Sequence, residues 1–317
     1  MRLPASCAPL ALGCAAFGNL YEEVSRADVE VALQSAWLRG IRLFDVAPHY
    51  GLGLAEERLG AFLQTVPRNE VIVSTKIGRL LVDVQPGEER PDTEGFAVTR
   101  AVRRRADFSR EGVRRSLRDS CERLGLDRVD IALIHDPENH MSDAFGEAYP
   151  ELVRHRDSGA VDFIGVGTGR LDVAERFVRE TDIDVLLLAG RYTLLDQSAG
   201  QLILPLCAER GIDVLAAGVL NSGILGLEWP ASGAMFDYAP APPLVVARAQ
   251  AVAAASLQAG LRVSMAATAF PLTNPAITAV ISGARSADEV EEAHRAVTAG
   301  ISPSVLRRVS RAAPCTS

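Results

Sequence analysis

The chain has 317 residues, of which 48% are hydrophobic and 23% are charged, a composition that supports a large buried core and argues against disorder. The formal net charge of -7 argues against a surface that binds nucleic acid. One local basic run is interpreted as a solvated loop face; it contains Arg100, Arg103, Arg104 and Arg105.

The cysteines are scattered and show no Cys-x-x-Cys spacing, which favours reduced thiols over a metal or redox motif; they are Cys7, Cys14, Cys121, Cys207 and Cys315. The apolar run 9–17 is a poor signal peptide because Arg2 is its whole basic region, and it suits a first strand better. No apolar run reaches the roughly 20 residues that span a bilayer. We therefore expect a cytoplasmic protein without a transmembrane helix.

Short apolar runs alternate with amphipathic segments, which is the pattern of parallel strands enclosed by helices. The predicted strands are residues 10–15, 41–46, 71–75, 129–134, 163–167, 185–188, 213–217 and 279–282. The predicted helices are residues 26–39, 55–64, 109–124, 143–158, 171–180, 198–209, 244–259 and 287–298. Ser25, Ser109 and Ser286 are placed to cap three of these helices.

Eight strand-then-helix repeats predict an α/β fold, the (β/α)8 TIM barrel. No linker or shift of composition divides residues 1–317, so we expect a single domain. Two connections, 78–108 and 218–243, exceed an ordinary loop and are predicted to be lids or binding loops on the C-terminal face. The active site of such a barrel lies at the C-terminal ends of its strands.

Ionisable side chains follow three neighbouring predicted strands: Asp45 and Tyr50 the second, Lys76 the third and His135 the fourth. A tyrosine is a poor base at neutral pH, but a nearby ammonium lowers its pKa, so Lys76 is expected to activate Tyr50. Asp45 would hold Lys76 in place, and His135 would orient a substrate oxygen. Each residue alone has a structural explanation, whereas four at one barrel mouth indicate catalysis.

The segments that contain these residues, FDVAPHYG, VSTKIG and LIHDP, resemble the Asp-Tyr-Lys-His tetrad of the aldo-keto reductases. LALGCAAFGNLY, GLDRVDIALIHDP and VISGARSADEVEE extend the resemblance over nearly the whole chain. Within the family, APHYGLGLAEERLG, LLLAGRYTLLDQ and LNSGIL are most similar to the NAD(P)-dependent sugar dehydrogenases that act on L-fucose or D-threo-aldoses. The resemblance implies oxidation of an aldose at C1 to a lactone, with Tyr50 taking the hydroxyl proton and no metal.

GVGTG at 165–169 is followed by Arg170 and does not meet the Rossmann fingerprint for dinucleotide binding. The resemblance to the aldo-keto reductases implies a different way of holding a nicotinamide cofactor. Gly167 and Thr168 stand where the family usually has Ser-Asn, and Ala189 stands where it has Gln. Ala217 replaces a common aromatic platform for the nicotinamide, which leaves Tyr192 or a loop residue as possible substitutes. The implied pyrophosphate residues are Gly218, Leu220, Asn221 and Ser222, and the implied adenosine residues are Gly283, Arg285, Ser286, Glu289 and Glu292.

Simple helix capping by Ser286 and Glu289 is the alternative interpretation of the last set. Gly283 and Glu289 stand where NADP-dependent members often have Lys and Arg, which predicts a preference for NAD over NADP. Arg285 is the residue that could hold a 2′-phosphate instead.

Other activities remain open on the same barrel. A pyridoxal 4-dehydrogenase or a general aldehyde or ketone reductase would use the same tetrad. A cofactor-sensing subunit of a membrane channel is the non-enzymatic alternative, and the complete tetrad favours turnover over it. The expected partner is a small sugar or aldehyde, and neither nucleic acid nor membrane.

Overall fold

Eight parallel strands close into a barrel in the computed structural model, which describes residues 2–7, 9–85 and 87–312. Each strand pairs with its successor in the chain, and the eighth pairs with the first. The strands are β1 (Leu10–Gly13), β2 (Leu43–Asp45), β3 (Ile72–Ile77), β4 (Ile131–His135), β5 (Phe163–Thr168), β6 (Val185–Ala189), β7 (Asp213–Ala217) and β8 (Ile277–Gly283). The predicted (β/α)8 barrel is confirmed.

The barrel strands are apolar on both faces because one face lines the interior and the other packs against helices. The interior is filled by large side chains, among them Leu43, Leu133, Leu187, Leu215 and Ile281. A second, larger cluster lies between the strands and the surrounding helices. Because the interior is solid, chemistry is confined to the strand ends and the connections above them.

Helices surround the strands: Arg26–Leu38, Leu54–Leu63, Arg110–Leu124, Tyr149–Asp157, Leu171–Glu180, Ile203–Arg210, Pro243–Gln258, Val263–Ala269, Ala287–Thr298 and Pro303–Ser310. The three predicted caps are confirmed, since the hydroxyls of Ser25, Ser109 and Ser286 each accept a hydrogen bond from the backbone amide three residues on. Val263–Ala269 and Pro303–Ser310 were not predicted. The first of these is buried at nearly every position and therefore lacks the polar stripe that reveals a helix in a sequence.

Two predicted helices are interrupted. The segment predicted as 143–158 begins at Met141 and passes through a π-helical stretch, Ala144–Ala148, before Tyr149–Asp157. The segment predicted as 198–209 begins as a 3-10 turn, Ser198–Gly200, and becomes α-helical only from Ile203.

The two long connections are more ordered than ordinary loops. In the first, Arg79–Asp83 pairs antiparallel with Val102–Ala106, and Arg90–Pro91 pairs with Thr99–Arg100. In the second, Met235–Phe236 pairs with Ala239–Pro240. Both connections therefore present short hairpins above the C-terminal ends of the strands.

The interpretation of the basic run as a solvated loop face is wrong for one of its members. Arg103 and Arg105 are exposed, but the side chain of Arg104 is only 11% exposed. Its guanidinium pairs with Asp92 and donates to the carbonyl oxygen of His49 at 2.8 Å. The hairpin turns alternate residues to opposite faces, so one arginine of the run points inwards.

Among the described residues no single helix has both the length and the apolar composition of a membrane span. One pair of consecutive helical segments reaches that length and composition together, but the pair is bent by 96° between Pro243–Gln258 and Val263–Thr273. The four cysteines of the described ranges are unpaired, and Cys315 lies outside the described residues.

A buried carboxylate ties the helical layer to the barrel. Glu56 has a fully buried side chain, and its oxygens accept from Thr75 Oγ1 at 2.9 Å and from Arg123 Nε at 2.6 Å. Removal of one partner of such a pair leaves the other charge buried and uncompensated. Its neighbour Glu57 pairs with Arg100 at the surface, with a side chain that is 42% exposed.

We expect Glu56→Ala to lower the free energy of unfolding by about 3–5 kcal/mol, because it leaves the Arg123 guanidinium without its counter-charge. Glu57→Ala is the matched control and should cost no more than about 1 kcal/mol, the usual limit for an exposed pair. Urea denaturation followed by circular dichroism measures both. Equal losses for the two variants would contradict the structural role of Glu56.

Candidate active site

The strand register brings the predicted catalytic side chains to one end of the barrel. Asp45 ends β2 and lies opposite Ser74 of β3, so Lys76, two residues further on, shares its face. His135 ends β4, which is the next strand. Tyr50 lies in the turn after β2, and its ring centroid is 6.0 Å from that of His135. The structure thus brings the predicted tetrad together.

Lys76 is a fully satisfied buried ammonium with a side chain that is 2% exposed. Its Nζ donates to Asp45 Oδ2 at 2.7 Å, to the carbonyl oxygen of Val46 at 3.0 Å and to the Tyr50 hydroxyl at 3.0 Å. These three acceptors use the three donors of an ammonium. Ser74 Oγ donates to the other Asp45 oxygen at 2.9 Å, which fixes the carboxylate.

Two glycines hold the Tyr50 backbone against the turn that follows β1. A methyl group on Gly18 would lie 2.6 Å from the carbonyl carbon of Tyr50, closer than any real contact. Gly51 faces it with φ +62°, and a side chain there would meet the backbone of Gly18. The position of the tyrosine therefore depends on two backbones that touch without side chains between them.

The protonation of Tyr50 differs from the sequence expectation. Burial raises the pKa of Tyr50 above its usual value, and Lys76 lowers it without cancelling that effect. The pKa of Lys76 is raised: burial alone would lower it, but the charges of Asp45 and Tyr50 outweigh burial. The expected net lowering of the tyrosine pKa is thus wrong for the protein alone, although the expected direction of the Lys76 effect holds.

The two histidines at the mouth are neutral imidazoles. Burial, reinforced by the charges of Lys76 and Arg79, lowers the pKa of His135 well below its usual value. Burial and the charge of Arg79 lower the pKa of His49 to about 2. The rings lie edge to face with centroids 5.5 Å apart. His135 Nδ1 is buried and has no hydrogen-bond partner among the described residues.

Several polar residues at the mouth were not singled out from the sequence. Arg79, two residues after β3, donates to Asp136 Oδ2 at 3.1 Å, and its Nη1 lies 3.3 Å from His49 Nδ1. Asp136 and His49 each adjoin a tetrad residue within the segments LIHDP and FDVAPHYG. Applying the strand-end rule to every polar residue there would have found them. Phe96 of the first long connection closes this side, with its ring 5.3 Å from that of His49.

The residues predicted to meet the nicotinamide are divided between two places. Gly167 lies beside the Lys76 side chain: a Cβ at this position would be 3.8 Å from Lys76 Cε. Thr168 is buried, and its hydroxyl donates to Glu138 at 2.8 Å. Tyr192 instead stacks on Phe270, with ring centroids 5.4 Å apart, where two apolar clusters meet.

Among the described residues the ring contact of Tyr192 is with Phe270 and not with the tetrad, and its role as the nicotinamide platform stays a prediction. The predicted departures Ala189 and Ala217 end β6 and β7 side by side and are half-buried.

The predicted pyrophosphate segment is a tight turn after β7. Gly218, Asn221 and Ser222 have φ values of +63°, +46° and +58°. Asn221 is 2% exposed, yet neither atom of its side-chain amide has a partner among the described residues. Ser222 Oγ accepts from the amide of Tyr238, and Leu220 packs against the core. Buried amide groups are ordinarily paired, so Asn221 is an unusual feature of this turn.

The predicted adenosine residues follow β8. Gly283 is the exposed last residue of that strand. Ser286 caps the next helix, and the Glu289 carboxylate accepts from the amide of Arg285 at 2.7 Å, so the capping interpretation describes both contacts. Arg285 pairs with Glu22 at 3.1 Å.

Glu292 pairs with Arg262 and Ser264. It therefore links two helices, which is a structural use that the sequence did not predict.

The fold and the described barrel mouth place the protein in the class of (β/α)8-barrel enzymes. The Aldo/keto reductase family model matches residues 9–313. A D-threo-aldose 1-dehydrogenase from a Pseudomonas species is 43% identical over 294 residues, which cover 90% of this chain and 88% of that protein. A pyridoxal 4-dehydrogenase from Microbacterium luteolum is 36% identical over 301 residues, which cover 89% and 87% respectively.

Among solved structures, the holo form of an aldo-keto reductase from Bacillus halodurans has a TM-score of 0.75 at 20% identity and covers 97% of this chain and 92% of that one. The chain belongs to the aldo/keto reductase family and is an NAD(P)-dependent oxidoreductase.

We expect Gly18→Ala to lower kcat by about 100-fold, the usual consequence of moving a reacting group by about 1 Å. Cofactor affinity should change little, because the substitution acts on the backbone of Tyr50. Gly146→Ala is the matched control, since a methyl group there meets open space. Steady-state kinetics and cofactor fluorescence titration measure both effects, and a fully active Gly18→Ala enzyme would refute this account of how Tyr50 is held.

Proposed function

We propose that the protein oxidises an aldose at C1 to the lactone and that the aldose is of the L-fucose or D-threo type. We propose the cytoplasm as the place of this reaction. The observation that carries the proposal is the buried Lys76–Asp45–Tyr50 cluster beside a neutral His135. The similarity to a D-threo-aldose 1-dehydrogenase supports the sugar. Pyridoxal is the second candidate substrate, because a pyridoxal 4-dehydrogenase is also similar.

In the proposed reaction Tyr50 acts as the general base and removes the proton of the C1 hydroxyl. Lys76 stabilises the phenolate through the 3.0 Å contact, and Asp45 balances the ammonium charge. His135, held neutral by its surroundings, donates an N–H to the reacting oxygen and orients it towards Tyr50. The nicotinamide, when bound, accepts the hydride that leaves C1.

The described residues fit a dinucleotide. We assign the nicotinamide to the face above Gly167 and Thr168, next to Lys76, and the pyrophosphate to the turn from Gly218 to Ser222. The unpaired, buried amide of Asn221 supports this assignment, because a polar ligand would supply the missing hydrogen bonds. The start of the helix Ala287–Thr298 is assigned to the adenosine end, where backbone amides suit a polar ligand.

NAD is the preferred cofactor in this proposal. Glu289 places a carboxylate at the helix start through its bond to the Arg285 amide, and a carboxylate repels a 2′-phosphate. The side chain of Arg285, the residue that could bind that phosphate, is engaged by Glu22 and by the carbonyl of Leu20. Both observations favour NAD, whose ribose carries no 2′-phosphate, over NADP.

We expect kcat/KM for NAD to exceed that for NADP by at least about 10-fold, since a like charge in a binding site costs several kcal/mol. Glu289→Arg should narrow this ratio, because it exchanges a repulsive group for one that pairs with phosphate. Arg285→Ala serves as the control and should leave the ratio nearly unchanged. Equal or better efficiency with NADP in the wild type would show that Arg285 holds the phosphate.

We expect Tyr50→Phe to lower kcat by about 10²- to 10⁴-fold, which is the usual contribution of general acid–base catalysis. Cofactor affinity should be retained, because the hydroxyl contacts Lys76 and not the assigned nucleotide surface. The assay follows nicotinamide absorbance with aldoses and with pyridoxal as substrates. A loss smaller than about tenfold would exclude Tyr50 as the base. Cofactor binding without turnover of any substrate by the wild type would favour a cofactor-sensing role instead.

The pH profile provides a companion measurement. The base acts when deprotonated, and burial raises its pKa, so oxidation by the wild type should increase towards alkaline pH. Lys76→Met removes the charge that opposes this rise, and its residual activity should need a still higher pH. An acidic optimum, or an unchanged profile in an active Lys76→Met enzyme, would rule out the phenolate mechanism.

A further inference from the structure

Asp136 has an unusual backbone conformation at the end of β4. Its φ is +43°, in the left-handed region that side chains other than Gly, Asn and Asp rarely adopt. Its amide still donates to the carbonyl of Gly167 at 3.0 Å, so the strand pairing continues through this residue. Strain of this kind concentrates at functional sites, where it aims a side chain.

The Asp136 carboxylate lies beside the atoms that the proposed reaction uses. Asp136 Oδ2 is 3.5 Å from His135 Nε2, too long for a direct hydrogen bond to this neutral imidazole. The same oxygen accepts from Arg79 Nη2 at 3.1 Å. Burial raises the pKa of Asp136 to about 6 against the opposing charge of Arg79, so the group is a carboxylate at neutral pH.

We propose that Asp136 and Arg79 form a specificity subsite that binds the hydroxyl on the carbon next to the reacting carbon. The inference rests on the proposed function, which places the reacting oxygen between Tyr50 and His135. Oxygens on neighbouring carbons lie about one hydrogen-bond length apart, so a substrate whose second oxygen faces the end of β4 brings it within reach of the Asp136 carboxylate, 3.5 Å from His135 Nε2. Asp136 accepts its proton, and the Arg79 guanidinium donates to the oxygen.

The subsite selects a chemical class. Substrates with a hydroxyl next to the reacting carbon, which are 2-hydroxyaldehydes and the sugars derived from them, satisfy the carboxylate and the guanidinium together. An analogue with a methyl group at that place removes water from both charged groups and returns no hydrogen bond to either beyond their own contact, which sites built for a hydroxyl penalise strongly. A hydrogen bond to a charged group corresponds to about 10- to 100-fold in kcat/KM.

The test compares two aldehydes of nearly equal size in the reducing direction. Glycolaldehyde carries the neighbouring hydroxyl, and propanal carries a methyl group instead. Wild type, Asp136→Gly, Asp136→Asn and the control Asp143→Asn are assayed with the reduced cofactor, and kcat/KM is corrected for aldehyde hydration. Gly and Asn both tolerate the positive φ of position 136, so these variants keep the backbone. Asp143 is exposed on the helical turn after β4.

We expect the wild type and Asp143→Asn to prefer glycolaldehyde by at least about 10-fold. The ratio should fall to about 3-fold or less in Asp136→Gly through loss of glycolaldehyde activity alone, and Asp136→Asn should be intermediate because it keeps a neutral acceptor. A merely structural role would lower both activities and preserve the ratio, and that outcome would overturn the inference. A wild-type ratio near one would also overturn it.

The same variants are then assayed with the aldose that reacts best and with its 2-deoxy analogue. The wild type should prefer the aldose, and Asp136→Gly should lose the preference. Reduction of glycolaldehyde without oxidation of any aldose would contradict the proposed function, whereas the aldehyde ratio would still decide the role of Asp136.

Discussion

The buried ion pair between Lys76 and Asp45 is the interaction on which the rest of the mouth depends. An ammonium excluded from water is tolerated only with a counter-charge and a full set of acceptors. The barrel meets both needs, because Asp45 ends β2 opposite Ser74 and Lys76 shares its face two residues on. Besides its bonds to Asp45 and to the carbonyl oxygen of Val46, the Lys76 ammonium then donates to the Tyr50 hydroxyl. The register of two adjacent strands thus positions the ammonium, and the contact between Gly18 and Gly51 holds the tyrosine that accepts from it.

The same ammonium acts on three neighbouring groups at once. It opposes the rise in pKa that burial causes in Tyr50, and it lowers the pKa of both His49 and His135. Burial is the largest cause of the low pKa of both imidazoles, and Lys76 adds to it, so both are neutral where Tyr50 gains or loses its proton. In the proposed reaction neither histidine therefore carries a charge that would compete with Lys76 for the Tyr50 phenolate.

Features with a local cause could be predicted from the sequence. The strands follow from apolar runs, the caps from single serines, and the tetrad from the rule that strand ends form the mouth. The inward turn of Arg104 and the contact of Arg79 with Asp136 depend on how a 31-residue connection, 78–108, pairs with itself, and no local pattern records that. The helix Val263–Ala269 has no polar face to reveal its period. The net pKa of Tyr50 depends on burial, which three-dimensional packing alone determines.

The first long connection contributes side chains to one wall of the candidate active site. Arg104 reaches from its hairpin to the carbonyl of His49, the residue before Tyr50, and its guanidinium lies 5.5 Å above the Phe96 ring. The charges of Arg79 and Arg104 also contribute to the low pKa of both histidines. A change in this connection is therefore expected to alter both the shape of this wall and the charges that face the two histidines. Because burial is the largest cause of the low pKa of both histidines, such a change leaves them neutral, and the pH dependence of the proposed reaction follows Tyr50 and Lys76 instead.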